Sequence, residues 1–597
     1  MKTLEFCAVS LLGLALTVPL ARAQAKRTMD VTAFGVRNDG SDSTPGTRAA
    51  LKALREGSAA KLVFPPGTYD FWPDRAEERY LFISNNGSGL KRIAFPLVGM
   101  NGVEIDGSGA TLIFHGPMVP FLIEQSQGVI LRNLSFDFVR PFHSEGRVLA
   151  IAPGSVDLEI AEAFPYEIRH GVLVFTSGAA PPGTAPAVKS GEVLYPYGNL
   201  LAFDPTKRET AFMAQDRGGV GEGVAAQAIA PRQVRLTLDK VSARPGDILV
   251  FGPKRRDYPG IVISGSSNVR LSGVVIHHSG GMGVIAQRSH DVFLQQVRVS
   301  PRPGGERILS ATADATHFVN CRGQIVMEDC RFEQQKDDAT NIHGLYARIT
   351  RLVAANRMEV RLMHPQQAGL DFVQPGTRLE LTAAASLQPR GFAVAKAVER
   401  LNSECTVIET EQPLPTELGI GDCIADADAN TADVLIKNCV MRGNRARGIL
   451  LGSRGKMVIE GNIFHVPGAA ILFEGDARFW FEQAGVKDVV IRGNTFDNCN
   501  YGVWGNSCIQ VKAGIAEKYR RTTRYNQNIV IEDNLFRVFS PRPLLSIYSV
   551  DGLTFRGNRL ERTQAYPAMG TAEKLFDITD CDRVVVQEPV LLSVPPR

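Results

Sequence analysis

From Gly128 onward one phrase keeps returning along the chain: GVILRNLSF, ADVLIKNCVM, KMVIEGNIF, DVVIRGNTF, NIVIEDNLF and DGLTFRGNRL. Each is a run of alternating apolar residues, then Gly, Asn or Asp, then a polar residue and a large apolar one. Alternation of period two is the mark of a strand, and Gly, Asn or Asp supplies the tight turn that ends it. Amphipathic helix pairs would need a period of 3.6 that these segments lack. A short strand that ends in a turn and then recurs is how a chain coils into stacked rungs.

The register can be counted on the residue that follows the turn. Cys439, Asn462, Asn494, Asn534 and Asn558 are separated by 23, 32, 40 and 24 positions. A rung of about 24 residues with loop excursions predicts a right-handed parallel β-helix, each rung reading strand, turn, strand, turn, strand. A solenoid end exposes a sheet edge and an apolar core, so it needs a cap. The segment MDVTAFGVRNDGSDSTPGTRAALKALREG, followed by KLVFPPGTYDF, has a strand, a Gly/Asp turn and a short amphipathic helix in the right place, over residues 28–70.

Two stretches break the beat. Residues 142–256 and 347–428 hold short alternating runs such as RVLAIAPGSVDLEI, VRLTLD, RMEVRLM and CTVIETE, separated by Gly/Pro turns. These predict two inserted antiparallel β modules, barrel-like or sandwich-like. The domain plan is therefore a signal peptide (1–23), cap and first rungs (24–141), module one (142–256), central rungs (257–346), module two (347–428) and terminal rungs (429–597).

Composition agrees with an all-β chain: Gly 57 and Pro 34 are spread along 597 residues, and only 21% are charged. The formal charge of +4 and the absence of a basic run interleaved with aromatics argue against nucleic acid as a partner. Nine cysteines without CxxC or Cys/His spacing argue against structural zinc. The first residues, MKTLEFCAVSLLGLALTVPLARAQA, have Lys2, an apolar run over residues 7–20 and the small-x-small site Ala21-Arg22-Ala23. They predict a signal peptide cut near Ala23, no membrane span, and an exported protein, periplasmic or extracellular.

The chemistry is suggested by a repeated triplet. ATADATHFVN and EQQKDDATNIHG place Asp314 and Asp338 one rung apart, so they should stack about 4.8 Å from each other, with Asp337 alongside. Any single Asp here is explained by a surface ladder or a turn. Stacked like charges, however, are destabilising when directly opposite, and Lys336 is the one cation beside them in sequence. Three crowded carboxyls therefore point to catalysis or a bound cation. Inverting glycoside hydrolysis needs one carboxylic acid for the leaving oxygen and a carboxylate to activate water. Asp314 and Asp338 would orient the water and Asp337 would be the acid, its pKa raised by negative neighbours. Module two leaves the helix right after DDATNIHG and should overhang the site.

The segments ATADATHFVNCRGQIVMEDC, QQKDDATNIHG and AAILFEGDARFWFEQAGVKDVVIRGNTF, with FISNN and LKRIAFPL upstream, resemble glycoside hydrolase family 110, bacterial α-1,3-galactosidases that remove the blood-group-B galactose. The resemblance spans the mature chain and both insertions. It implies an inverting exo-enzyme that needs no cofactor or metal, acts on a galactose-terminated oligosaccharide or glycan, and often forms a homodimer. It carries the acid to Asp337 and the bases to Asp314 and Asp338. Asn86 stands where His is more usual, which leaves that position's role open.

A sugar site also wants an aromatic platform and hydrogen-bonding neighbours. The loop FEGDARFWFEQ offers Trp480 between two phenylalanines, with Glu474, Asp476 and Glu482 as hydroxyl ligands. The alternative is that these rings pack an insertion against the helix. Asn341 and His343 lie on the catalytic rung, and Trp504 and His277 are further candidates. A polygalacturonase-like enzyme would want an Arg-x-Lys pattern beyond the Asp pair, where the chain has NRARGILLGS. A lyase would use the aspartates to hold Ca²⁺. Cys330 and Cys439 occupy equivalent places in consecutive rungs once module two is removed from the count, so they are either an unbonded ladder or a disulfide.

Overall fold

The computed structural model describes residues 27–57, 60–177, 193–221, 223–570 and 574–592; the signal-peptide reading lies outside them. The chain coils into a parallel β-helix whose walls are one sheet of 22 strands and another of 13. A typical rung runs Asp433–Lys437, turns, runs Val440–Arg442, turns again and ends in Ile449–Leu451. Val434, Met457, Val489, Ile529 and Leu553 stand in register on successive rungs. All five are buried in one continuous core, so the alternation in the repeated phrase is the inside-outside pattern of the coil.

The turn residues have two jobs. Asn438, Gly461, Gly493, Asp533 and Gly557 all have φ between 53° and 67°, the left-handed region that Gly, Asn and Asp tolerate best. The residue after each is buried and forms a ladder. The Asn462 carbonyl oxygen accepts from the Cys439 backbone N–H at 2.8 Å, and Asn494, Asn534 and Asn558 accept in the same way from the asparagine one rung before, at 2.9 Å each. Their amide groups donate to Ile436, Ile459, Ile491 and Ile531 carbonyls, so each asparagine of this ladder is satisfied inside the wall.

At the amino end the helix Thr44–Arg55 lays Ala50, Leu51 and Leu54 on the first rung. The first insertion forms a seven-stranded antiparallel sheet within Ser144–Pro253 and a separate hairpin of Tyr166–Arg169 with Val172–Phe175. The second closes into a six-strand barrel from Ala347–Ala354 to Cys423–Asp426.

The disulfide alternative fails. Cys330 and Cys439 do stack, since Arg331 is in register with Val440, but both thiols are free. Side chains stacked on a wall point the same way, whereas a bridge needs the Cβ atoms turned toward each other. Each thiol bonds instead to a main-chain carbonyl, Cys330 to Glu328 at 3.3 Å and Cys439 to Lys437 at 3.2 Å.

Candidate active site

Thr316–Val319 and Thr340–Leu345 pair in parallel with Thr316 opposite Thr340 and His317 opposite Asn341. Carried two residues back, that register stacks Asp314 on Asp338, and the Ala315 N–H donates to the Asp338 carbonyl at 3.0 Å. Thr340 in turn pairs with Ile449, so the residue above Asp338 on the next rung is Arg447. The three carboxyls meet: one oxygen from each of Asp314, Asp337 and Asp338 lies within 4.8 Å of the others, and all three residues are buried.

Counter-charge is abundant, contrary to the reading that Lys336 stands alone. Arg447 donates from Nε and Nη2 to the two Asp338 oxygens at 3.1 and 2.9 Å. Asp337 accepts from Arg445 Nη1 at 2.6 Å and from Arg256 Nη2 at 2.5 Å. Asp314 Oδ2 faces His317 Nδ1 at 2.6 Å. The compensating cations come from the next rung and from the end of the first insertion, places far away in sequence. Asp216 of that insertion holds Arg445 Nε at 2.6 Å, and Trp504 lies under the same guanidinium, 5.5 Å from it.

The expected raised pKa at Asp337 is also corrected. Burial works against its charge, but Arg445, Arg256, Arg447 and Lys336 outweigh burial and draw it down to about 2. Burial and then the Asp337 charge push Asp314 up to about 8. Burial raises Asp338 to about 7, against the pull of Arg447 and with the push of Asp337 and Asp314. Three carboxyls this close do not all ionise, so the cluster keeps a proton near neutral pH, lodged away from Asp337 in the ligand-free protein. The nearest carboxyl oxygens lie closer than the separation of about 6.5 to 9.5 Å usual between the carboxyls of an inverting acid and base. Strand spacing fixes Asp314 against Asp338, and the arginines make the crowding tolerable.

The triad forms the floor of a cleft of about 320 Å³. Of the binding residues read from sequence, Asn341, Glu474, Trp480 and Glu482 line it. Trp480 is 42% exposed and leans on His364 with ring centroids 5.1 Å apart, a partly open aromatic face beside the carboxyls. His343 is buried one layer back, its Nε2 2.9 Å from His317 Nε2 and 3.5 Å from Glu482 Oε1. Asp476 does not face the cleft. Its oxygens accept from the backbone N–H groups of Arg478, Phe479 and Trp480 at 2.8, 2.7 and 2.5 Å, so it shapes the aromatic loop from below. His277 is held by the Ser300 carbonyl at 3.0 Å and lies outside the cleft.

Sequence reasoning missed Asn85, Arg256, His317 and the His364–Gln366 segment, all of which line the cleft. Asn86 is buried, its amide on the Ser84 carbonyl at 3.1 Å, while its neighbour Asn85 is the one that reaches the site. The second insertion overhangs the triad through His364, Pro365 and Gln366, and the Asn85 N–H donates to the Gln366 carbonyl at 2.8 Å.

Three family models match the chain: GLAA-B beta-barrel domain I over residues 144–249, GLAA-B beta-barrel domain II over 357–424, and a right handed beta helix region over 425–582. The alpha-1,3-galactosidase A of Shewanella woodyi is 36% identical over 555 residues, 92% of this chain and 88% of its own length. The alpha-1,3-galactosidase B of Akkermansia muciniphila is 32% identical over 570 residues, 94% and 69%. The alpha-1,3-galactosidase A of Bacteroides fragilis is 31% identical over 591 residues, 97% and 94%.

Proposed function

The chain belongs to the bacterial α-1,3-galactosidases of glycoside hydrolase family 110, and from that premise we propose that it releases terminal α-1,3-linked galactose from glycans by an inverting, exo-acting mechanism on the stacked aspartates. The observation that carries the reading is a triad of buried carboxyls at the floor of a cleft with an aromatic face. Trp480 offers its ring to the apolar face of a sugar, and Asn341, Glu474 and Glu482 offer acceptors and donors to the hydroxyls.

Asp314 and Asp338 grip the attacking water between stacked carboxyls, and Asp337 delivers the proton to the glycosidic oxygen. In the ligand-free protein the protons of the cluster rest on Asp314 and Asp338, because Asp337 is occupied by two guanidinium groups. A sugar oxygen that takes over one of those arginine contacts lets the proton of Asp338 cross the short gap to Asp337.

Two observations speak against the rival readings. Of the arginines that line the cleft, Arg256 and Arg447, the second is gripped by both Asp338 oxygens and so is not free for the carboxylate of a uronate. The same guanidinium groups offset the negative charge that a calcium-dependent lyase would reserve for its ion.

Natural acceptors are blood-group-B-type branched galactosides, linear Galα1-3Gal, or both. The selecting rim is built from three parts of the chain, Asn85, His364–Gln366 and Trp480. Residues 1–23, read from sequence as a signal peptide, support export, and the family resemblance supports a homodimer. The test is release of galactose from fucosylated and unfucosylated Galα1-3Gal acceptors, with and without EDTA. We expect release that survives EDTA; no release from either acceptor sinks the reading.

A further inference from the structure

Asp314 is the first link of a buried chain. Its Oδ2 lies 2.6 Å from His317 Nδ1, His317 Nε2 lies 2.9 Å from His343 Nε2, and His343 Nδ1 lies 2.7 Å from the carbonyl oxygen of Gly344. A carbonyl oxygen can only accept, so His343 must carry a proton on Nδ1. Neutral His343 then has its lone pair on Nε2, and His317 must donate to it from its own Nε2. Neutral His317 is left with a lone pair on Nδ1, and the donor to that lone pair is the Asp314 carboxyl. One backbone carbonyl thus sets the direction of every hydrogen bond back to the catalytic cluster.

The surroundings keep His317 neutral in the resting protein. His317 and His343 are 1% exposed, and burial, then the His343 ring, holds His317 well below the ordinary histidine range. The charged groups facing this chain are Asp337, Asp338, Arg256 and Arg447 at the Asp314 end, and Glu482 at the other, its Oε1 3.5 Å from His343 Nε2.

We propose that His317 and His343 are positioning residues that take the proton from Asp314 when the reaction needs it as a carboxylate. The proton on Asp314 Oδ2 passes to His317 Nδ1 while the proton on His317 Nε2 passes to His343 Nε2. Two N–H or O–H bonds break and two form. The products are an Asp314 carboxylate, a neutral His317 of the other tautomer, and a His343 imidazolium facing the Glu482 carboxylate. This rests on the assignment of Asp314 as a water-activating base. It gives His343 and Glu482 roles beyond contact with sugar, and it explains how a carboxyl that holds a proton at rest can act as a base.

The consequence is an enzyme that tolerates one proton in the chain. With His343→Gln the amide cannot take the proton, and Asp314 must lose it to solvent. The acidic limb of the kcat/KM profile should then move up by about one pH unit, with about a tenfold loss near pH 5.5 that recovers to within about threefold of wild type near pH 8.5. A loss of the same size at every pH would mean that His343 merely supports the fold, and would overturn the proposal. Nitrogen-15 histidine NMR on the full-length wild-type protein tests the chain without substrate and without relying on the variant to fold. We expect His317 as the Nε2–H tautomer and His343 as the Nδ1–H tautomer at neutral pH; any other pair of tautomers overturns it. A wild-type enzyme that fails to release galactose overturns the function on which the transfer rests, whereas wrong tautomers overturn the chain itself.

Discussion

Arg447 sits one rung above Asp338 and holds it three times over, with Nε and Nη2 at 3.1 and 2.9 Å and with its own backbone N–H at 2.9 Å from Oδ1. A wall of parallel strands puts the partner of a buried carboxylate directly above it, in the same row of the sheet. The fork matters as well as the charge, because a planar guanidinium matches both oxygens and a lysine does not.

Arg447→Lys should therefore lower kcat/KM by about a hundredfold, and Arg447→Met by more. The sign of the pH effect follows from the same contact. Arg447 favours the ionised form of Asp338, whose pKa burial has raised to about 7; without the cation it rises further, and the carboxylate fraction at any given pH falls. The acidic limb of the pH–rate profile should move to higher pH in both variants. An Arg447→Met enzyme that keeps wild-type kcat/KM near pH 6 would show that Asp338 is not needed as a carboxylate.

The proton donor can be told from the bases by the leaving group. Fluoride leaves without protonation, so a variant that lacks only the acid should still hydrolyse α-galactosyl fluoride. We expect Asp337→Asn to lose at least about a thousandfold on Galα1-3Gal while keeping fluoride hydrolysis within about tenfold, and Asp314→Asn and Asp338→Asn to lose both. If Asp338→Asn is the variant that keeps the fluoride activity, the donor is the carboxyl under Arg447 and the roles of the two neighbours exchange.

Inversion makes its own demand. In the proposed mechanism, water held by Asp314 and Asp338 attacks the anomeric carbon from the face opposite the departing sugar, so an α-galactoside should give β-galactose first. In this mechanism the water rests on the stacked pair with Asp337 alongside, one oxygen of each carboxyl lying within 4.8 Å of the others. Proton NMR in the first minutes of hydrolysis should show the β-anomer signal ahead of mutarotation. An initial α-anomer would require a carboxylate nucleophile and a glycosyl-enzyme intermediate.

The β-helix was legible because a rung repeats: Asn462, Asn494, Asn534 and Asn558 recur after the same turn, and the ladder they form is local to each wall. The stacking of Asp314 on Asp338 followed from the same count. What the repeat hid was Arg447, because 82 residues of the second insertion, 347–428, stand between it and the rung it completes. The offset that stacks Cys330 under Cys439 also stacks Asp338 under Arg447, so the information was present in the spacing. Arg256 and His364 carry no such signal. Each sits where an insertion meets the helix, and the packing of modules leaves no period in the sequence. Asp476 misled for a different reason: an acidic residue before two aromatic residues reads equally well as a sugar ligand and as the cap of the loop, and the three backbone N–H contacts decide for the cap.

The three aspartates should separate by stability where they agree in loss of activity. Asp314 and Asp338 have folded pKa values of about 8 and about 7 against an ordinary 3.8. For each, the folded protein keeps a proton that the unfolded chain releases, so below about pH 4 the group makes no difference, and as pH rises from 4 towards 8 it subtracts stability. An asparagine has no proton to lose, and at position 314 its amide N–H can still donate to His317 Nδ1. Asp314→Asn should thus melt at the wild-type temperature near pH 4 and above it at pH 8, by an amount on the order of 1 to a few kcal/mol, whereas Asp338→Asn also leaves Arg447 without its carboxylate and should melt below Asp314→Asn at every pH. Asp337 has the opposite sign. Its folded pKa of about 2 lies below 3.8, so its stabilisation is present above pH 4 and is lost only as pH falls through about 2. Asp337→Asn leaves Arg256 and Arg445 without their shared carboxylate and should cost about 3 kcal/mol at neutral pH, a penalty that shrinks in acid. Thermal unfolding of the three variants between pH 2 and 8 measures all of this at once. A destabilised Asp314→Asn at pH 8 would mean that Asp314 is ionised at rest, and that the proton of the cluster is held elsewhere.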